Sequence, residues 1–310
     1  MDPVQYKRIL IIRTDRLGDL VLTTPVFKAL REAYPGAYIV VMTKPDTALV
    51  LKNNPHINEV IIYDKDGEYK SMFANIRFAM ALRKKKFDLA IVLDPANRTH
   101  FLAYLAGIPR RIGYDEDFAF LLTDRIKNTR HEGMKYEAEY NLDLLTVLGI
   151  RAQEAYPRIF VDKGAEAVID DLLSKNKISP GDKFILLHPG ASCPSKRWPA
   201  ERFAWVADAL ASIHGVKIVV FSGEDKSAIS CIEDVKNHMV HCLSRMTAAR
   251  SIWPLRLVRL LLPYSAGTSR VFHRAGGGRE ENRISCCIRM PAARDVLPTT
   301  ADQVLSALWP

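Results

Sequence analysis

Short apolar runs alternate with amphipathic stretches from the first residues of this 310-residue chain onward, and no other feature constrains the fold as much. A buried strand followed by a helix, repeated, builds βαβ units around a parallel sheet. The fold class expected is therefore α/β. Strands are expected at Arg8–Arg13, Tyr38–Thr43, Glu59–Tyr63 and Asp88–Asp94, and helices at Leu20–Tyr34, Lys70–Lys85, Thr99–Ala106 and Tyr136–Gly149. Pro35-Gly36 closes the first helix, because Pro cannot continue the hydrogen-bond ladder and Gly favours its end. The polar segment Arg151–Arg158 reads as a boundary, giving domains of residues 1–155 and 156–310. The alternation then restarts, with helices at Ala165–Lys175, Pro199–Ile213 and Lys226–Asn237 around strands at Phe184–His188 and Val216–Phe221.

The start of the sequence lacks the charged region, apolar stretch and small-residue cleavage site of a signal peptide, and no apolar run approaches the length of a membrane span. A cytoplasmic protein is the expectation. The five cysteines (Cys193, Cys231, Cys242, Cys286, Cys287) form no CxxC pair, so neither a disulfide framework nor a metal site is expected. The net charge of +9 suits an anionic partner, but it is unevenly spread. All 19 Lys lie at or before Lys236, whereas residues 237–310 hold 10 Arg, no Lys and 4 acidic residues. Much of the charge thus sits in the last quarter, with no basic groove interleaved with aromatics, and nucleic acid is not an expected partner.

Two loops carry chemistry. In the first, the apolar run ILIIR leads through Thr14-Asp15-Arg16-Leu17-Gly18-Asp19 into a helix, which places these residues at the carboxyl end of a parallel strand, where open α/β sheets bind ligands. Gly18 suits a tight strand-to-helix turn. Asp19 reads either as a general base or as a helix cap accepting backbone N–H bonds. In the second, a strand is followed by His188-Pro189-Gly190-Ala191-Ser192 and then by Lys196-Arg197-Trp198-Pro199 at a helix start. Small residues let backbone N–H groups approach a phosphate, Ser192 adds a hydroxyl and Lys196 a charge. The plain alternative is a βα loop with Pro199 in the first helical turn. His188 is expected to orient or support rather than to act as a base. After the next strand, Gly223-Glu224 could meet ribose hydroxyls or simply face solvent. The basic run Arg83-Lys84-Lys85-Lys86 reads as the charged end of a helix, or as a patch for a phosphorylated acceptor or an anionic membrane surface.

Three segments taken together carry a resemblance. RILIIRTDRLGDLVLTTPVFKALREAYPGAYIVVMT, DLAIVLDPANRTHFLAYLAGIPRRIGYD and LLHPGASCPSKRWPAERFAWVADAL, in that order, resemble glycosyltransferase family nine, the lipopolysaccharide heptosyltransferases. The resemblance covers roughly residues 7–240. It implies the GT-B fold, two Rossmann-like doubly wound domains facing a central cleft, with the acceptor on residues 1–155 and the donor on residues 156–310. It implies inverting transfer from a sugar nucleotide, ADP-heptose, to a lipid-linked glycan acceptor such as the lipopolysaccharide core. No metal or cofactor is implied, and peripheral contact with the cytosolic face of the inner membrane is. Asp19 is then the catalytic base. Gly190, Ala191, Ser192, Lys196, Gly223 and Glu224 would bind the donor, and Thr14, Arg16, Gly18, Asn97, Arg98 and Arg111 the acceptor.

The resemblance breaks off where the charge pattern changes. The family carries a D-[ST]-G-x-x-H-like loop after the segment that follows Gly223, and residues 238–310 contain none. Loss of Lys, gain of Arg and loss of periodicity begin near one point, as a shifted reading frame would produce. A divergent C-terminal segment is the alternative.

Overall fold

The computed structural model describes residues 5–94, 96–152, 154–161, 163–187, 200–220 and 240–242. The chain divides into two compact units, Met1–Asp162 and Lys163–Pro310.

The first unit is built on six parallel strands: β1 (Arg8–Ile12), β2 (Tyr38–Thr43), β3 (Glu59–Ile62), β4 (Leu89–Val92), β5 (Arg110–Asp115) and β6 (Asp124–Lys127), in the order β3-β2-β1-β4-β5-β6. Strand order reverses between β1 and β4, which pair directly from Ile9 with Leu89 to Ile12 with Val92. Ile9, Leu10, Ile11 and Ile12 are all buried, as a strand covered on both faces requires. The Asp88 carboxylate accepts the Lys7 and Arg8 amides at 2.7 and 3.1 Å, fixing the amino end of β1 against β4. On one face α3 (Met72–Lys84) and α4 (Asn97–Leu105) bury Phe78, Ala79, Leu82, Leu102 and Ala103 against Leu10, Ile12, Val40 and Val92. The Ser71 hydroxyl caps α3 by accepting the Ala74 amide at 3.2 Å.

Two departures from the expected elements matter for function. The helix expected over Leu20–Tyr34 is two helices, α1 (Leu17–Val21) and α2 (Thr24–Ala33). Pro25 has no N–H for the carbonyl of Val21, and the Thr24 hydroxyl donates to that carbonyl instead, at 2.8 Å. α1 also begins three residues earlier than expected, and Gly18 and Asp19 lie inside its single turn rather than before it. The second departure is β5 and β6, which were not expected. Their amino ends are charged, and Arg110 of β5 pairs with Asp124 of β6 at 3.1 Å, so these two charges are consumed between neighbouring strands. The helix expected over Tyr136–Gly149 is α5 (Glu137–Asp143), tightening into a 3-10 turn over Leu144–Leu148 that ends at Gly149 with φ +75°.

The second unit holds, among its described residues, helices α6 (Lys163–Lys175) and α7 (Ala200–His214) and the parallel strands β7 (Phe184–Leu187), β8 (Lys217–Val220) and β9 (Val240–Cys242) in the order β7-β8-β9. α7 packs Phe203, Val206, Ala207 and Leu210 on one side of the sheet, and Ile169 and Leu173 of α6 cover the other. The strand β9 was not expected. The helix expected over Lys226–Asn237, together with residues 243–310, lies outside the described residues. Among the described residues no helix is long and apolar enough to cross a membrane.

Candidate active site

The carboxyl ends of β1 and β4 meet where strand order reverses, the position at which open α/β sheets bind ligands. Arg13, Thr14 and Asp15 follow β1 there, and Leu93 and Asp94 follow β4. The Thr14 hydroxyl donates to the Asp94 carboxylate across the junction, and the Ala96 amide donates to the other Asp94 oxygen at 3.1 Å. Both side chains are buried, so Thr14 braces the site and does not present its hydroxyl to an acceptor.

Arg13 is the hub. Its guanidinium, 4% exposed, donates to the Leu93 carbonyl at 2.9 Å and to the Asn141 side chain at 3.4 Å. Around it stand three carboxylates: Asp15 at 2.9 Å, Asp19 at 3.6 Å and Glu137 at 3.7 Å. The Asp15 contact is an ion pair whose atoms are not aligned for a hydrogen bond. Asn141 donates in turn to the Leu22 carbonyl at 3.1 Å. Arg130 holds Glu137 through its Nε at 2.9 and 3.1 Å, reaches Asn141 at 3.0 Å and lies 4.0 Å above the Tyr114 ring. α5 therefore completes a site begun by β1.

Asp19 is the third residue of α1, and its side chain is 35% exposed. Among the described residues no amide donates to its carboxylate, and Arg13 is its single charged neighbour within ion-pair range. The capping role is thus not what the structure assigns to it. The carboxylate is left partly exposed at this edge, with Arg13 beside it. Gly18 beside it carries no left-handed backbone, and a Cβ built on it would meet nothing within 4 Å. The turn therefore does not require glycine, and the missing side chain leaves open surface next to Asp19.

Burial pushes the Asp15 carboxyl up to about 6; Arg13 opposes this, and the charges of Asp19 and Asp94 add to it. A folded-state value above the unfolded one means that the stability linked to Asp15 is fully present below about pH 4 and is lost as pH rises through about 6. Asp15→Asn should accordingly raise the unfolding midpoint at pH 7.5 by an amount worth on the order of 1–3 kcal/mol, with the advantage vanishing near pH 4. Thermal melts of both proteins across that pH range check this, and a gain independent of pH would contradict it.

Arg16, Asn97 and Arg98 stand exposed at the same edge, Arg16 preceding α1 and the other two opening α4. Arg98 donates to the Lys65 carbonyl at 3.0 Å, and neither Arg16 nor Asn97 makes a side-chain hydrogen bond or ion pair among the described residues. Arg111 is not brought to this edge. It is level with Ala90 in the sheet, four residues short of Asp94 and so about 13 Å away along the strand, and its guanidinium is spent on the carbonyls of Leu121, Ile108 and Pro109. His188, Gly190, Ala191, Ser192, Lys196, Gly223 and Glu224 lie outside the described residues. Among the described residues no group of three His, Cys, Asp or Glu side chains is arranged to hold a metal ion. Arg13, Asp15, Asp94, Arg130, Glu137 and Asn141 were not singled out from the sequence. Arg13 and Asp15 had a signal there, as the charges that follow the apolar run Ile9–Ile12.

This fold and edge place the chain in the α/β class of the GT-B transferases. The family model "Glycosyltransferase family 9 (heptosyltransferase)" matches residues 75–249, and the chain belongs to that family. Lipopolysaccharide heptosyltransferase 3 of Escherichia coli is 28% identical over 228 residues, 70% of this chain and 64% of that protein. Lipopolysaccharide heptosyltransferase 2 of Escherichia coli K12 is 26% identical over 230 residues, 71% of this chain and 65% of that protein. The matched part thus spans just under two thirds of the length of these relatives. Among solved structures, a glycosyl transferase of family 9 from Veillonella parvula superposes with a TM-score of 0.70 at 28% identity, covering 77% of this chain and 70% of the other. ADP-heptose lipopolysaccharide heptosyltransferase II of Escherichia coli has the same fold, with a TM-score of 0.63 at 24% identity over 79% of this chain and 74% of the other.

Proposed function

We propose that this chain transfers a heptose from ADP-heptose to a hydroxyl of a lipopolysaccharide core or similar glycan, with inversion at the anomeric carbon and without a metal ion. The observation that carries this reading is Asp19: an uncapped, partly exposed carboxylate at the strand-order switch point of a family 9 chain. The names of the relatives support the sugar and the class of acceptor. In the proposed reaction Asp19 takes the proton of the acceptor hydroxyl as its oxygen bonds to the anomeric carbon, and the bond from that carbon to the diphosphate breaks. Arg16, Asn97 and Arg98 would hold anionic or hydroxyl groups of the acceptor. Gly190, Ala191, Ser192 and Lys196 would stabilise the departing diphosphate with backbone N–H groups and fixed charge, and Gly223 and Glu224 would meet the ribose. The reaction is placed at the cytosolic face of the inner membrane, where a lipid-linked acceptor resides.

Thermal shift with ADP and ADP-heptose, followed by assay of acceptor-dependent ADP release, tests the proposal. A ligand at 100 times its Kd adds about 2.7 kcal/mol, a readily measured shift. Lys196→Ala should weaken ADP binding by about 10- to 100-fold, since a charge-assisted bond is lost in the ground state as well as during transfer. Unaltered ADP affinity would place Lys196 outside the donor site.

A second reading is favoured by one observation: residues 238–310 contain no D-[ST]-G-x-x-H-like segment, and the family match ends at residue 249. On that reading the chain is a pseudoenzyme that keeps acceptor binding and has lost productive donor binding. Acceptor binding without any stabilisation by ADP or ADP-heptose would select it. Sequencing the gene distinguishes a shifted frame from divergence, because only the former is repaired by a single-base change near the codons for residues 245–252.

A further inference from the structure

The inward stripe of α3 (Asn75, Phe78, Ala79, Leu82) is buried against the sheet, and the outward stripe is also apolar for half its length. Phe73 is 86% exposed, Met72 64%, and Ile76 and Met80 each 39%. Spacings of three, four and seven residues put Phe73, Ile76, Arg77 and Met80 on one helical face. Single exposed apolar residues are ordinary, whereas a row of them on one face marks an interaction surface. The row continues into cations: Arg77, Arg83 and Lys84 are exposed on the same helix, and Lys86 follows it. Glu68 lies 3.8 Å from Arg77, and Asp64 and Asp66 stand on the same loop before the helix.

The topology says which way this helix points. β3 and β4 are parallel and α3 crosses between them, so its first turn lies at the carboxyl edge of the sheet, the edge that carries Asp19 and Asp94. A second apolar group stands at that edge. Phe118 and Phe120, 46% and 72% exposed with ring centroids 5.6 Å apart, follow the carboxyl end of β5. Phe118 is held outward at φ +60°, a left-handed conformation disfavoured for a bulky side chain.

We propose that the outward face of α3 is a membrane-docking surface for a bilayer rich in anionic lipid, with Met72 and Phe73 entering the headgroup boundary and Arg77, Arg83 and Lys84 meeting lipid phosphates. Aromatic and apolar residues on one helix with cations beside them match that environment. An anionic bilayer offers an opposite charge to all of these cations at once, whereas a second copy would offer them the same cation-bearing face. Met72 and Phe73, in the first turn, are the docking residues at the Asp19 edge, so their entry would set that edge beside the lipid that anchors an acceptor. That last step rests on the proposed function, and the docking itself does not.

Flotation of the full chain with vesicles of phosphatidylethanolamine and phosphatidylglycerol, against vesicles of phosphatidylcholine alone, tests the inference. The chain should float with the anionic vesicles and not with the neutral ones, and 0.5 M salt should release it. The double variant Met72→Ser/Phe73→Ser should bind about tenfold more weakly or worse, and Arg77→Ser and Lys84→Ser about fivefold each. These side chains are exposed, so circular dichroism should remain that of the parent. Absence of flotation would overturn the inference. So would undiminished flotation of the variants, which would move binding to another surface, and so would a dimer abolished by Phe73→Ser, which would assign the face to a second copy. Flotation without turnover would leave the docking surface standing and sink the proposed function. Turnover on a lipid-free acceptor without flotation would do the reverse.

Discussion

Replacing Asp19 by Asn should lower kcat by about 10²–10⁴-fold, the usual worth of a general base, while leaving the Kd for ADP-heptose nearly unchanged. Asn keeps the shape of the side chain and removes its ability to take a proton. The change should cost little stability, since the carboxylate caps nothing among the described residues and its one ion pair, with Arg13, is 3.6 Å long and partly exposed. Pairs of that kind are worth about 0–1 kcal/mol. Steady-state kinetics beside a thermal melt separate these outcomes. Undiminished turnover would remove Asp19 from the chemistry, and a large fall in the unfolding midpoint would return it to a structural role.

Arg13→Met should produce the largest loss of stability of any change at this edge, about 3–5 kcal/mol, because a buried ion-pair network loses its cation while its anions stay. Asp15 would face the charges of Asp19 and Asp94 without the guanidinium that offsets them, Glu137 would lose one of its two cations, and the Leu93 carbonyl and the Asn141 side chain would lose a donor. Met fills most of the volume, so the loss reports electrostatics and hydrogen bonding rather than a cavity. Adding Asp15→Asn should restore part of it, since the two residues touch and their effects should not add. A melt of the three variants against the parent measures this. A loss below about 1 kcal/mol for Arg13→Met would mean that Arg130 alone suffices to hold Glu137 and Asn141.

The contrast between Asp19 and Arg13 shows which parts of the site the sequence could carry. The ILIIR run and the Thr14–Asp19 segment that follows it are local patterns written in consecutive residues, whereas the starts of α1 and α4 fall three and two residues earlier than expected. Arg13 was visible only as the charged end of a strand. Its partner Asn141 is 128 residues away, and no local pattern announces that α5 returns to the edge of β1. The same limit hid β5 and β6, where Arg110 pairs with Asp124 and Asp115 with Arg125 across the strands, so that the charged residues look like loop in one dimension. Pro25 shows the opposite case, a local signal whose consequence depended on its surroundings: it breaks the helix expected over Leu20–Tyr34 because two threonine hydroxyls stand ready to take the freed carbonyls of Asp19 and Val21. The resemblance groups Arg111 with the acceptor residues, and the register of β5 puts it level with Ala90 instead.

Acceptor-dependent release of ADP from ADP-heptose by the full chain tests the central claim most directly. The account predicts release that requires a core glycan acceptor, proceeds in the presence of a metal chelator, and falls by at least about 100-fold in Asp19→Asn. No release above the uncatalysed rate, in a protein whose melt shows both α/β units folded, would contradict it.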